Sequence, residues 1–178
     1  PNFIFKYDSK KRLVESIEYY DNGVFENWSR YYYNSQGMIT SDTTYKGGVV
    51  VNGNATLPDE EAAELRVHRY VYDAQKRIIT VKLFWPRESE ESFDEQTYEY
   101  DANGNRQLDG GAASYDDKMN IHRTHKVFMF MDRNYSRNNP VGATAYNARY
   151  LAVTYGPAVS ETFLRKSLGN AAVTYKCK

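Results

Sequence analysis

Tyr31-Tyr32-Tyr33-Asn34-Ser35-Gln36-Gly37-Met38-Ile39 reads as the end of one strand, a turn and the start of a second strand. Residues two apart in a strand point the same way, so Tyr31 and Tyr33 share a face. An Asn or Asp after the second ring can hydrogen-bond its own backbone two residues on and start a turn. Gly37 falls three residues after Asn34, where a short hairpin loop needs left-handed backbone. The same unit stands at Phe5-Lys6-Tyr7-Asp8-Ser9-Lys10-Lys11-Arg12-Leu13 and at Tyr70-Val71-Tyr72-Asp73-Ala74-Gln75-Lys76-Arg77-Ile78. A fourth copy is Tyr98-Glu99-Tyr100-Asp101-Ala102-Asn103-Gly104-Asn105-Arg106. Lys11 and Lys76 take the glycine position, where left-handed backbone strains a residue with a side chain. Arg106 replaces the apolar residue that opens the other return strands, which predicts a short or edge strand there. Weaker copies are Tyr20-Asp21-Asn22-Gly23, Tyr115-Asp116-Asp117-Lys118 and Tyr146-Asn147-Ala148-Arg149.

Hairpins in series make an antiparallel meander, so the chain is expected to be all-β. Its length suits one domain over residues 1–178. Both faces of the strands mix apolar and charged residues, which argues against a simple sandwich and for a strongly curved or closed, barrel-like sheet. Residues 49–66 lengthen the interval between the second and third copies. Thr56 as cap, Pro58 in the first turn and Asp59, Glu60 and Glu61 near the positive end of the dipole predict a short helix there. That insertion is either a solvated connection or a lid. Residues 78–85 are the most apolar strand and should be central. Residues 110–140 are expected to be irregular and plug-like. Within them Val127-Phe128-Met129-Phe130-Met131 fits a buried strand or a helical turn equally well. Up to three closing strands follow, over 144–155, 162–168 and 171–175.

Composition narrows the function. Lys plus Arg equals Asp plus Glu, 23 each, so there is no basic excess to neutralise phosphates and nucleic acid is not the expected partner. No apolar run approaches the ~18 residues of a spanning helix. A membrane barrel needs a continuous outward apolar band, and Glu15, Glu18, Arg30, Arg69, Lys82 and Glu99 interrupt the strands. Tyrosine is over-used, with 17 Tyr against 8 Phe and 2 Trp, which suits half-buried pleated surfaces. Pro1 is not a natural start, so a segment is expected ahead of it.

At the Tyr-x-Tyr-Asp-x-x-Gly units the chain resembles a YD-repeat protein. Tyr115-Asp116-Asp117-Lys118-Met119-Asn120 and Asn134-Tyr135-Ser136-Arg137-Asn138-Asn139 sharpen the likeness. Together they resemble a group of secreted proteins and lipoproteins of Bacteroides-type bacteria, which carry a domain of unknown function described as porin-like in fold. The resemblance implies export to the periplasm or outer-membrane surface, often with a lipid on a Cys upstream of Pro1. It implies no activity. It also implies that Asp42-Thr43-Thr44 matches a short acceptor pattern for O-glycosylation.

Chemistry-bearing motifs are few. His122-Arg123-Thr124-His125 has a spacing of three, but no Cys lies near and the general-base Glu of HExxH is missing, so surface or capping histidines are expected rather than a metal site. No GxSxG or P-loop occurs. Cys177 stands in a tail without a nearby His. Glu60-Glu61 and Asp116-Asp117 are expected to be solvated loop acids. No catalytic residue, metal or cofactor is expected. The candidate ligand-binding residues are the flat rings of Trp28, Tyr32 and Trp85, offered to a carbohydrate or an envelope protein. The alternatives are a structural or assembly domain without a small-molecule ligand, and a lipocalin-like carrier of a small apolar molecule.

Overall fold

The computed structural model describes residues 2–61, 63–107, 114–141, 144–146, 152–154, 158–161 and 167–172. The described chain is all-β with one short α-helix, and none of its helices is long and apolar enough to cross a membrane. Contacts divide it into two units, Pro1–Thr97 and Tyr98–Lys178.

The first unit is one antiparallel sheet. Its strands are β1 (Asn2–Tyr7), β2 (Leu13–Tyr19), β3 (Val24–Tyr33), β4 (Ile39–Lys46), β5 (Gly48–Val51), β6 (Asn54–Thr56), β7 (Glu64–Tyr72), β8 (Ile78–Phe84) and β9 (Asp94–Thr97). They lie in the order β1-β2-β3-β4-β7-β8-β9, with β5 and β6 branching from β3. Among the described residues β1 and β9 do not meet, so the sheet is open and the expected barrel closure is not formed.

The turns show why the repeat folds as it does. Asp8, Asn34 and Asp73 each take their own N–H to the carbonyl four residues on, and their carbonyl accepts the N–H three residues on. Their side-chain Oδ1 accepts the N–H of Arg12, Met38 and Arg77 at 2.9, 3.0 and 2.9 Å. This is a three-residue loop with a left-handed residue at its end. That residue is Lys11 (φ 59), Gly37 (φ 75) or Lys76 (φ 61). In each copy the register slips just before the second ring, so that Tyr7, Tyr33 and Tyr72 face Leu13, Ile39 and Ile78.

The junctions between copies repeat as well. The residue two beyond the apolar return position pairs with the residue four before the next Asx. The pairs are Glu15 with Arg30, Ser41 with Arg69, and Thr80 with Thr97. The Tyr33 hydroxyl donates to the Leu13 carbonyl at 2.7 Å, and the Tyr72 hydroxyl donates to the Ile39 carbonyl at 2.8 Å. Leu13, Ile39 and Ile78 are buried together with Tyr31 and Tyr70. One polar atom on Tyr33 and one on Tyr72 therefore tie the second and third copies each to the one before.

Residues 49–66 are not a loop with a helix. Val49-Val50-Val51 is β-branched, and Asn52 and Gly53 at φ 51 and 74 make the two-residue turn that joins β5 to β6. This hairpin lays Val50, Ala55 and Leu57 on Ile17, Phe25 and Trp28. The expected helix shrinks to one turn, in which the Ala63 N–H reaches the Asp59 carbonyl at 3.2 Å. The Arg87 guanidinium collects the carbonyls of Glu60, Glu61 and Ala63, which removes the acceptors a longer helix would use.

In the second unit the fourth copy repeats the turn at Asp101 and Gly104 (φ 82). Among the described residues its return side pairs through the bridge between Tyr100 and Arg106, and residues 108–113 lie outside the described residues. The Tyr115 hydroxyl donates to the Arg106 carbonyl, continuing the rule of Tyr33 and Tyr72. β10 (Ser114–Met119) pairs with β11 (Asn138–Val141). Between them lie a 3-10 turn, Ile121–Thr124, and α1 (Lys126–Met131), so the apolar run is helical and the described part of the stretch, from residue 114 on, is not irregular. Arg133 Nη1 closes α1 by donating to the Phe130 and Met131 carbonyls. Further on, β12 (Thr144–Tyr146) pairs with β13 (Ala152–Thr154), and β14 (Ala158–Glu161) with β15 (Ser167–Ala172). The rest of the expected closing strands, and Cys177, lie outside the described residues.

Candidate functional site

Three places in the described chain gather chemistry. The first is a buried polar row in the sheet of the first unit. The register sets Tyr31, Asp42 and His68 side by side on one face. Asp42 is 3% exposed. Its carboxylate accepts from the Thr44 hydroxyl at 2.9 Å and from the Tyr70 hydroxyl, and meets His68 Nδ1 at 3.0 Å. Ser29 Oγ lies 2.8 Å from Thr44 Oγ1, and Ser16 Oγ lies 2.7 Å from the Tyr31 hydroxyl. Since Thr44 spends its proton on Asp42, the hydrogen between Ser29 and Thr44 comes from Ser29. The imidazole therefore activates neither hydroxyl, which sets the row apart from a nucleophile–base–acid relay. A buried carboxylate with several donors rigidifies a core. Within the expected acceptor pattern, Thr43 sits in mid-strand between the buried Asp42 and Thr44, with the Tyr32 hydroxyl 3.3 Å from its own.

The second place is an asparagine–histidine hub in the second unit, built from the two motifs that carry the family resemblance. His122 is buried rather than exposed. Its Nε2 lies 2.8 Å from Asp132 Oδ2, and its Nδ1 lies 2.9 Å from Asn120 Oδ1. Asn120 donates to Asn134 Oδ1 at 3.1 Å and to the Asn138 carbonyl at 3.2 Å. Asn139 takes both oxygens of Asp116 at 3.0 Å, so Asp116 is a structural acceptor while Asp117 pairs outward with Lys118. His125 is a cap, accepting the Val127 N–H at 3.2 Å. The two histidines thus point to different tasks, and no group of three metal-ligating side chains forms among the described residues.

The third place is the outer face of the sheet, where the expected ring residues separate. Trp28 is 8% exposed, packed edge-on to Phe25 at 6.2 Å and against Tyr45 at 5.4 Å, with Arg30 4.1 Å over its ring. It belongs to the core and presents no free face to a ligand. Tyr32 is 47% exposed beside the Asn34 turn. Trp85 lies just past β8, at the opposite end of the sheet, stacked on Phe93 at 4.3 Å and 9°. Phe93 carries the exposed side of that stack, at 63%. Sequence reading passed over Phe93 and His68, and met Asp42 only as part of the acceptor pattern. Phe93 sits in a charged loop without periodicity, and the Asp42–His68 pairing follows only from register.

No family model matches the chain. No curated protein matches it either.

Proposed function

We propose that the chain is a non-catalytic binding module of an exported envelope protein that takes a glycan or another envelope component. The observation in its favour is the part of the sheet face around Tyr32 that the β5–β6 hairpin leaves uncovered. Tyr32 stands there 47% exposed, and Ser41 and Thr43 stand beside it at the neighbouring register positions. A half-exposed ring with adjacent hydroxyls on a rigid strand suits the apolar face and the polar rim of a sugar. The Trp85–Phe93 stack offers a second ring at the far end. The two buried polar clusters are knit into the fold, which favours binding over catalysis. Export and a lipid anchor rest on the YD-repeat resemblance alone.

A structural role is the second reading, favoured by the identical register at three junctions. A carrier of a small apolar molecule needs an enclosed lumen, and among the described residues the sheet is open. A thermal-shift screen against neutral and acidic oligosaccharides separates these readings. A one-site ligand at a hundred times its Kd adds about 2.7 kcal/mol, or several degrees at about 2–4 °C per kcal/mol. A glycan shift lost in Tyr32→Ala or Trp85→Ala supports the binding module. Silence across the panel puts the structural role first.

A further inference from the structure

We infer that the outer face around Tyr32 recognises a carboxylated saccharide, a polymer of uronic acid, through Arg30 and Arg69. This deepens the proposed glycan reading and rests on it. The register places the residues. Tyr32, Ser41, Arg69, Lys82 and Glu95 form one row across β3, β4, β7, β8 and β9. The adjacent row runs Lys6, Glu15, Arg30, Thr43, Val67 and Phe84. Direct cross-strand partners and alternate residues share a face, so all of these point to the same side.

The charges in the two rows are unequal in kind. Lys6 is paired with Glu15 at 2.6 Å, and Lys82 with Glu95 at 3.0 Å. Arg30 and Arg69 have no carboxylate partner among the described residues. Instead the Arg30 guanidinium lies 4.1 Å from the Trp28 ring centre, and that of Arg69 lies 4.4 Å from the Phe84 ring centre. A ring under a guanidinium holds it by cation–π attraction and lowers the entropy it loses on binding. Both arginines are exposed, as is Tyr32. Their backbones are roughly 12 Å apart, two strands across and two residues along, which is the span of a short oligosaccharide. The guanidinium fork matches a carboxylate with two parallel, charge-assisted hydrogen bonds, and a neutral sugar has no charged acceptor to do the same. Two unpaired forks, one two residues before the exposed ring on its own strand and one two strands across in its row, therefore select acidic sugar units spaced along a chain.

The test is isothermal titration of the whole chain with oligogalacturonate, a neutral galacto-oligosaccharide and polyglutamate. Oligogalacturonate binds, and Arg30→Gln and Arg69→Gln each weaken it about tenfold, the worth of one charged hydrogen-bond set. Arg30→Lys keeps a cation over Trp28 and guards against misfolding. It too weakens binding, because the fork is gone. Equal binding of the neutral sugar overturns the carboxylate assignment while the glycan reading stands. Polyglutamate binding as tightly as oligogalacturonate shows a general anion patch and overturns it as well. Failure of every saccharide removes both.

Discussion

Lys11 and Lys76 hold left-handed backbone where Gly37 and Gly104 stand in the other copies. The repeat therefore contains its own experiment. A residue with a Cβ costs roughly 1–2 kcal/mol in that conformation. Glycine gives back roughly 0.5–1 kcal/mol through the greater freedom of its unfolded chain. Both lysine side chains are exposed, so little packing is lost. Lys11→Gly and Lys76→Gly should each stabilise by about 0.5–1 kcal/mol, the difference between those two terms. The turns belong to separate hairpins, so the double variant should gain about 1–2 kcal/mol. The mirror change is Gly37→Ala. A Cβ built on Gly37 meets nothing within 4 Å, so its cost is backbone strain alone. It should lose about 1 kcal/mol. Urea unfolding followed by circular dichroism reads all four variants, and the slope must stay constant for the comparison to hold. Destabilisation by both lysine-to-glycine changes, or a neutral Gly37→Ala, would refute the strain argument.

Other expectations follow from the same contacts. Tyr33→Phe and Tyr72→Phe each remove one hydroxyl tie between copies and should cost about 1 kcal/mol in a urea melt. Gly48→Ala drives a methyl into the Phe25 ring and the Thr56 carbonyl. The backbone oxygen cannot swing away, so a loss of about 1–3 kcal/mol is expected by thermal unfolding. Burial pushes the Tyr33 hydroxyl from 10.0 up to about 12, against the opposing pull of the Arg12 cation. Its folded value is raised, so its contribution is full below pH 10 and fades as pH climbs toward 12. The melting temperature should fall across that window, and less steeply in Tyr33→Phe; parallel curves would remove Tyr33 as the cause. The backbone N–H of Arg12 holds the Asp8 carboxyl below its ordinary value.

Much of the sheet was legible because its signals are local. An Asx residue three before a glycine names its turn, and rings two apart name a face. Other features depend on distant partners. The acids at 59–61 advertise a helix start, but Arg87, which takes the carbonyls of Glu60 and Glu61, lies 26–27 residues away. Asn52-Gly53 was a local hairpin signal, obscured by the stronger helix-cap pattern beside it. Trp28 looks the same in sequence whether or not a hairpin lies over it. His122 and His125 share a motif, yet one is buried by Asp132 and Asn120, and the other caps a helix. Periodicity could not choose between strand and helix for 127–131. The cap at His125 and the carbonyl closure by Arg133 chose the helix.

The constant pairing of Glu15 with Arg30, Ser41 with Arg69 and Thr80 with Thr97 has a consequence for how such a chain can change length. Adding or deleting one whole hairpin leaves every remaining side chain on its own side of the sheet and every tyrosine opposite a carbonyl. Adding one residue within a strand turns the downstream part of that strand inside out. Permitted lengths are therefore quantised in whole copies, and other variation is confined to the connections between strands, such as the one between the second and third copies where β5 and β6 already reside.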